Sequence, residues 1–335
     1  MNRCTYLLPI RRNTFWRAEV FAFASYFKAL ESAGCEVIVI DGSEAEVFEQ
    51  HQIAWASLCR HVAVDRSFGY LNDKVNGVHT GVRLASTEAI VLADDDIRYT
   101  AADIEETCRL LKESEVVRPQ NFLSPPHPWW ARMESARMLI NRATLRTGDY
   151  PGTCAFRRSA MLSAGHYDGD VLFDNEEIIR HFASRSVTIN YATGFFINKR
   201  PSTYQKWLEQ RPRQAYEDFG LRAKTTLFAS LLPLALLAGI LGGATVLMAY
   251  LFIMALVSTL LALAGRRRDG ASSYFPLAVC LFAPLWVIER GLSTYWAFYW
   301  YLRYGGYPFG ERLLKKGIGR DWFAGAAPAP DHPKK

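Results

Sequence analysis

Asp94, Asp95 and Asp96 stand together at the end of the apolar run Glu88 to Ala93 (EAIVLA). Three adjacent carboxylates in a dry site repel one another at a cost of several kcal/mol unless a cation or water offsets them. Alternate residues of an extended chain share one side, so Asp94 and Asp96 can converge on Mg²⁺ or Mn²⁺, with water and phosphate oxygens completing the shell. The competing reading is a solvated turn or a helix N-cap cluster. A second acidic end, Asp41-Gly42, closes the run Cys35 to Ile40 (CEVIVI), where Asp-Gly is also a common turn former. Trp129 and Trp130 follow Ser-Pro-Pro-His-Pro at 124–128. They can form an acceptor platform or bury in a core, and because adjacent side chains diverge on a helix both roles stay open. His51, His61, His79, His127, His166 and His181 show no HxxxH or HExxH spacing and read as structural or solvated.

Short β-rich runs alternate with longer helical patterns before and after these residues. Cys4 to Ile10 is followed by a helical stretch from about Arg17 to Ala33, closed at Gly34. Strands are expected at 35–40, 61–64 and 88–93, with a helix from about Asn72 to Leu84. This alternation predicts an α/β domain whose mixed, mostly parallel sheet carries helices on both faces. Ligands of such sheets sit beyond the carboxyl ends of the strands, so Asp41 and the Asp94 to Asp96 group would line one crevice. No GxGxxG or GxxxxGK[ST] follows the first strand, which argues against dinucleotide and P-loop sites.

The chain is 335 residues with 50% apolar and 21% charged residues, which excludes a disordered scaffold. Thr225 to Ala264 contains no Asp, Glu, Lys or Arg. As helix it would run about 60 Å, twice the hydrocarbon thickness of a bilayer, so two crossings with a reversal near Gly239, Gly242 and Gly243 are expected. A third segment, 271–302, carries Pro276, Pro284, Glu289-Arg290 and an aromatic cluster from Trp296 to Tyr301. A full crossing there would leave Arg303, Arg312, Lys315, Lys316 and Arg320 on the far side, against the positive-inside rule, so a re-entrant or interfacial segment is expected. The loop at 305–310 would then return to the head. The expected organisation is a cytosolic catalytic head over 1–223, a membrane region over 224–302 with its hairpin at 225–264, and a basic, partly disordered tail over 303–335.

The net charge of +6 gathers beside the apolar segments, which fits anionic lipid head groups and not nucleic acid. Six scattered cysteines without a CxxC pair read as reduced thiols in a cytosolic compartment. The run 6–10 is too short for a signal-peptide core. The expected location is therefore a bacterial-type inner membrane with the head on its cytosolic side.

The residues named so far, with several others in order, resemble the membrane-bound family 2 glycosyltransferases of the GT-A fold, in particular the ceramide glucosyltransferase-like and cellulose synthase-like branch. The matches are Pro9 at the end of the first strand, Asp41-Gly42, Lys74 with Asn76-Gly77, and Asp94-Asp95-Asp96. They continue with Gly152-Thr153, Phe156-Arg157-Arg158, the patch Asp174 to Glu177, and Gln210-Arg211-Pro212-Arg213. The resemblance implies inverting transfer of a sugar from a nucleotide-diphosphate donor, with UDP the expected nucleotide, to a lipid or lipid-linked acceptor. It implies Asp41 on the base or ribose, Asp94 on the sugar nucleotide, and Asp96 on a divalent metal. Donor contacts would also come from Pro9, Lys74, Gln210, Arg211 and Arg213, and acceptor contacts from Trp129, Trp130 and Arg157. An inverting displacement needs a carboxylate to take the acceptor proton. The family shows Glu-Asp where this chain has Asp174-Asn175, and an amide cannot be that base, so Asp174 or Glu177 would serve. Asp174 with Glu177 is equally a capping-box pattern. Gln214 stands where processive members carry Trp, which favours single addition. The rival readings are a nucleotidyltransferase acting on a sugar phosphate and a catalytically inactive membrane scaffold.

Overall fold

The computed structural model describes residues 3–310 and 312–319. Most of the tail expected over 303–335, Arg320 included, lies outside the described residues.

Apolar β-branched runs separated by amphipathic helices give strand β1 (Cys4–Ile10), helix α1 (Arg17–Ser32), β2 (Cys35–Asp41), α2 (Ala45–Trp55), β3 (Arg60–Ala63), α3 (Asp73–Leu84) and β4 (Ala89–Ala93). The chain continues through β5 (Ile97–Arg98), α4 (Ala101–Leu110), β6 (Val116–Leu123), α5 (Trp129–Thr144), β7 (Thr153–Arg157), α6 (Arg158–Ala164), α7 (Asp174–Ser184), β8 (Ile189–Lys199) and α8 (Tyr204–Glu217). The strands form one sheet in the order β3-β2-β1-β4-β7-β6-β8-β5. β1 to β4 pair in parallel, β6 pairs in parallel with β8, and β7 enters antiparallel between β4 and β6. The mixed, mostly parallel sheet of the expected fold class is thus present. One core packs α1, α2 and α4 on one face, through Phe23, Phe27, Trp55 and Ile104, and another packs α3, α6 and α7 on the other, through Val75, Val78, Met161 and Phe182.

Helix α9 (Arg222–Arg267) folds back on itself at Gly243, whose φ of +64° is costly for any side chain. Tyr250 Oη donates to the Leu231 carbonyl at 2.9 Å, a contact between residues 19 apart that a straight helix could not make. Phe228 and Ala262, near the two ends, pack in one core with α5. Only the base of this hairpin is buried, at Thr225, Phe228, Ser258, Ala262 and Gly265, and its upper part exposes Leu236, Ile240, Leu241, Met248 and Phe252. By length and composition α9 and the segment Leu277–Tyr304 are the two described stretches apolar enough to cross a membrane.

Helix α10 (Ala283–Tyr304) lies against the head at both ends. Val279, Cys280, Ala283 and Trp286 pack beside Met133 and Leu139 of α5, while Ala297 and, near its end, Trp300 and Tyr301 pack with Tyr216 and Phe219. Its outward side exposes Leu285, Ile288, Leu292, Tyr295, Trp296, Tyr299 and Leu302, a stripe at helical spacing. The charged pair in its middle turns inward: Arg290 Nη2 donates to Gln214 Oε1 at 3.0 Å and Arg290 lies 3.5 Å from Asp218, while Glu289 lies 3.6 Å from Arg211. After α10 the short hairpin of β9 (Tyr307–Phe309) and β10 (Arg312–Leu314) returns to the head. There Leu172 and Phe173 donate their amides to the carbonyls of Lys316 and Gly317.

Candidate active site

The site is built at the carboxyl end of β4. There the Asp94 amide bonds the Gly152 carbonyl at 2.9 Å, fixing the first aspartate against the loop before β7. A Cβ on Gly152 would come 2.5 Å from Asp94 Oδ2, so the carboxylate occupies space that any side chain at 152 would fill. Asn72 caps α3 by accepting from the Lys74 amide, and this sets Lys74 on the first turn facing the triplet. Lys74 Nζ donates to Asp94 Oδ1 at 2.5 Å and to Asn175 Oδ1 at 2.9 Å, and pairs with Asp174 Oδ2 at 2.7 Å. Asn175 Nδ2 donates to Asp94 Oδ2 at 3.0 Å. Residues 20, 100 and 101 positions along the chain from Lys74 thus share its ammonium. Burial works against that charge, but Asp174 and Asp94 outweigh it and hold the lysine above its usual range.

Asp95 and Asp96 face different partners. Arg12 reaches Asp95 at 2.6 Å and Lys206 lies 3.7 Å away. Burial would raise the Asp95 carboxyl, but Lys206 and Arg12 bring it down to about 2. Among the described residues Asp96 forms an ion pair with Lys199 alone, at 3.4 Å, and its Oδ1 is buried without a hydrogen-bond partner. Burial, reinforced by Asp95 and Asp94 against the opposing Lys199, pushes its carboxyl above the ordinary aspartate range. Asp96 opens on a narrow crevice lined by Trp130, Lys199, Gln210, Arg211 and Gln214. Trp129, 47% exposed, packs its ring 5.7 Å from Tyr204 and 5.2 Å from Trp207, itself a lining residue, and Trp130 Nε1 donates to the Ser202 carbonyl.

Several expected contacts are redirected. Asp41 has no open face toward a ligand: its side chain is fully buried, accepts from the Ser43 amide and lies 2.7 Å from His51 Nδ1 and 3.0 Å from His61 Nε2. Pro9 is buried in β1, where Gly77 of α3 packs against it, so it shapes the floor without offering a contact surface. Arg211 is not free for a diphosphate: its guanidinium is buried, bonds the Trp207 carbonyl and lies within 3.6 Å of Glu134 and Glu289. Arg213 turns to the Leu172 carbonyl, to Glu217 and over the Phe309 ring. Arg157 pairs in register with Ala89, at the opposite end of β4 from Asp94, and bonds the Leu111 and Lys112 carbonyls, so it cannot touch an acceptor in this crevice. The capping-box reading of 174–177 also falls, because Phe173 is the N-cap, no side chain caps the helix, and Asp174 turns to Lys74. Glu177, the alternative base, accepts from the Gly319 amide at 2.7 Å and from Arg180, with burial raising its carboxyl.

Arg12, Lys199 and Lys206 were missed as site residues. Lys199 and Lys206 read as part of the basic flank of the membrane segment, whereas β8 delivers Lys199 to Asp96 and the start of α8 delivers Lys206 to Asp95. The ending of β8 beside β6 and β5 is the only signal for this, and it is a tertiary one.

The class defined by these observations is a mixed α/β sheet with a carboxylate-lysine site at the carboxyl ends of its strands. No protein-family model matches the sequence, and no curated protein matches it either. Among solved structures the chain is similar to a mannosyltransferase from Pyrobaculum calidifontis in complex with GDP-Man and Mn²⁺, at 16% identity and TM-score 0.49 over 88% of this chain and 87% of that one. It is also similar to glucosyl-3-phosphoglycerate synthase from Mycobacterium tuberculosis, in complex with phosphoglyceric acid, at 16% identity and TM-score 0.38 over 61% of this chain and 74% of that one.

Proposed function

We propose that this chain is an inverting, metal-dependent glycosyltransferase of the GT-A type, adding one sugar from a nucleotide-diphosphate donor to a lipid or lipid-linked acceptor at the cytosolic face of a membrane. The observation that carries this reading is the buried, unpartnered Asp96 Oδ1 within a carboxylate cluster at the strand ends. A desolvated anion with an unused oxygen is costly alone and suits a cation. Asp94 and Asp96 are therefore the residues that would hold Mg²⁺ or Mn²⁺, and the ion would neutralise charge developing on the leaving diphosphate.

The chain's own groups supply the remaining chemistry. Asp174 is the preferred proton acceptor for the attacking hydroxyl, since it shares Lys74 with Asp94 while Glu177 is occupied by Gly319 and Arg180. Lys74 pairs with Asp174 at 2.7 Å and steadies the donor side of the site. Trp130, Gln210 and Lys199 border the crevice at Asp96, where an acceptor would approach, and exposed Trp129 packs on Trp207 beside it. Gln214, tied to Arg290, offers no ring to guide a growing glycan, in keeping with a single addition.

The hairpin's bare apolar surface supports insertion in a bilayer, and the outward stripe of α10 supports an in-plane helix whose aromatic side chains sit at the head-group level. The head, both ends of α10 and residues 312–319 would then lie on one side. A thermal-shift panel of UDP-, GDP- and dTDP-sugars with and without Mn²⁺ tests the reading, since a ligand of the folded state raises its melting temperature. No shift with any pair would overturn it, and hydrolysis of the stabilising donor would separate an enzyme from an inactive scaffold.

A further inference from the structure

Three side chains from three elements close on one point at the sheet edge, two strands away from Asp94: Asp41 at the end of β2, His51 on α2 and His61 in β3. His51 Nδ1 lies 2.7 Å and His61 Nε2 lies 3.0 Å from the same Asp41 Oδ2, and all three ligand atoms fall within 4.8 Å of one another. The side chains are 0 to 2% exposed. Phe48 stacks on His61 and Trp55 on His51, with ring centroids 4.4 and 4.5 Å apart, so the surroundings are dry and aromatic.

We propose that Asp41, His51 and His61 form a structural site for a transition-metal dication of the zinc class, separate from the donor site. The argument starts at His61 Nδ1, which lies 2.7 Å from Gln52 Oε1. An amide oxygen only accepts, so Nδ1 carries the proton, and in a neutral ring Nε2 is left with a lone pair. That lone pair faces a carboxylate oxygen, which also only accepts. Two acceptors at 3.0 Å repel, so a positive charge belongs between them, either a second ring proton or a bound metal cation, and the convergence of three ligand atoms on one point favours the metal. A ring donating one N–H to an oxygen while the other nitrogen faces inward is how a metal-ligating histidine is held. Two imidazoles and a carboxylate suit Zn²⁺ and not Mg²⁺ or Ca²⁺, which take oxygens, and Asp41 binding through both oxygens would complete a fourfold set. The ion would pin β2, α2 and β3 together at an edge where β3 has only four residues.

Metal analysis of the full chain, purified in detergent without chelators and dialysed in metal-free buffer, tests this independently of the glycosyltransferase reading. The expected result is about one zinc per chain. Protein reconstituted with Co²⁺ should show visible d–d bands of a low-coordinate site. His51→Ala and His61→Ala should lose the metal, while Asp96→Asn keeps it. Zinc well below stoichiometric with no cobalt bands after reconstitution would overturn the proposal. So would undiminished metal in the two histidine variants or its loss from Asp96→Asn. Should the histidine variants fail to fold, wild-type stoichiometry and the cobalt spectrum decide alone.

Discussion

Asn175 Nδ2 donates to Asp94 Oδ2 across 3.0 Å, while the oxygen of the same amide accepts from Lys74. The amide therefore occupies, with a donor and an acceptor, the place where the resemblance leads one to expect a carboxylate. Asn175→Asp would turn the donor toward Asp94 into a like charge. Its expected effect without divalent cation is a loss of about 1–2 kcal/mol, a few degrees in Tm, with Mn²⁺ restoring most of it. Differential scanning fluorimetry with and without Mn²⁺ checks this, and a Tm unchanged in both conditions contradicts the electrostatic role.

Asp96→Asn should abolish Mn²⁺-dependent donor binding while leaving Tm equal or higher, because the variant removes a half-buried charge whose Oδ1 is buried without a partner. Calorimetric titration with Mn²⁺ and the preferred nucleotide reads the first effect. Undiminished affinity would remove Asp96 from the metal.

Asp174→Asn should lower turnover by about 10² to 10⁴ with little change in donor affinity, the usual size of a general-base contribution. Glu177→Gln should act mainly through the contact with Gly319 and change turnover far less. An active Asp174→Asn beside an inactive Glu177→Gln would move the base one turn along α7.

The raised Asp96 carboxyl gives one group two opposite pH dependences. Metal takes the ionised form, so affinity should fall up to about tenfold per pH unit once pH drops through the folded-state value, starting above the range of an ordinary aspartate. In the metal-free fold the sign reverses. A carboxyl that binds its proton more tightly when folded adds stability as pH falls through that value and withdraws it as pH rises. Mn²⁺ titrations and metal-free melting curves between about pH 4 and 8 would show the two trends, and parallel trends would count against Asp96 as the titrating group.

Single-cysteine variants at Glu46, Leu241 and Lys315 test the membrane arrangement. All three positions are exposed, on α2, at the hairpin tip and just after β10. In intact cells an impermeant reagent should label 241 and leave 46 and 315 protected. Labelling of 315 from outside would make the third segment a crossing.

Much of the sheet was legible because its signals are local. Apolar runs with polar ends at 4–10, 35–41 and 89–93 carry their own period and punctuation, and they recur as β1, β2 and β4 within a residue or two. The Asp94 to Asp96 triplet was equally readable, since three like charges after a buried strand call for an explanation in any fold. The neighbours of Asp41, Pro9, Arg157 and Arg211 were not legible, because a residue type at a motif position says nothing of which neighbours take its hydrogen bonds. Asp41 meets two histidines from α2 and β3, and Arg211 meets Glu134 from α5 and Glu289 from α10. Sequence by itself determined where charge was costly and where apolar surface was continuous, since both are properties of short windows. Only the tertiary structure decided which ammonium answers which carboxylate, as with Lys74 between Asp94 and Asp174, because such pairs form between distant segments that the sheet order alone brings within bonding distance.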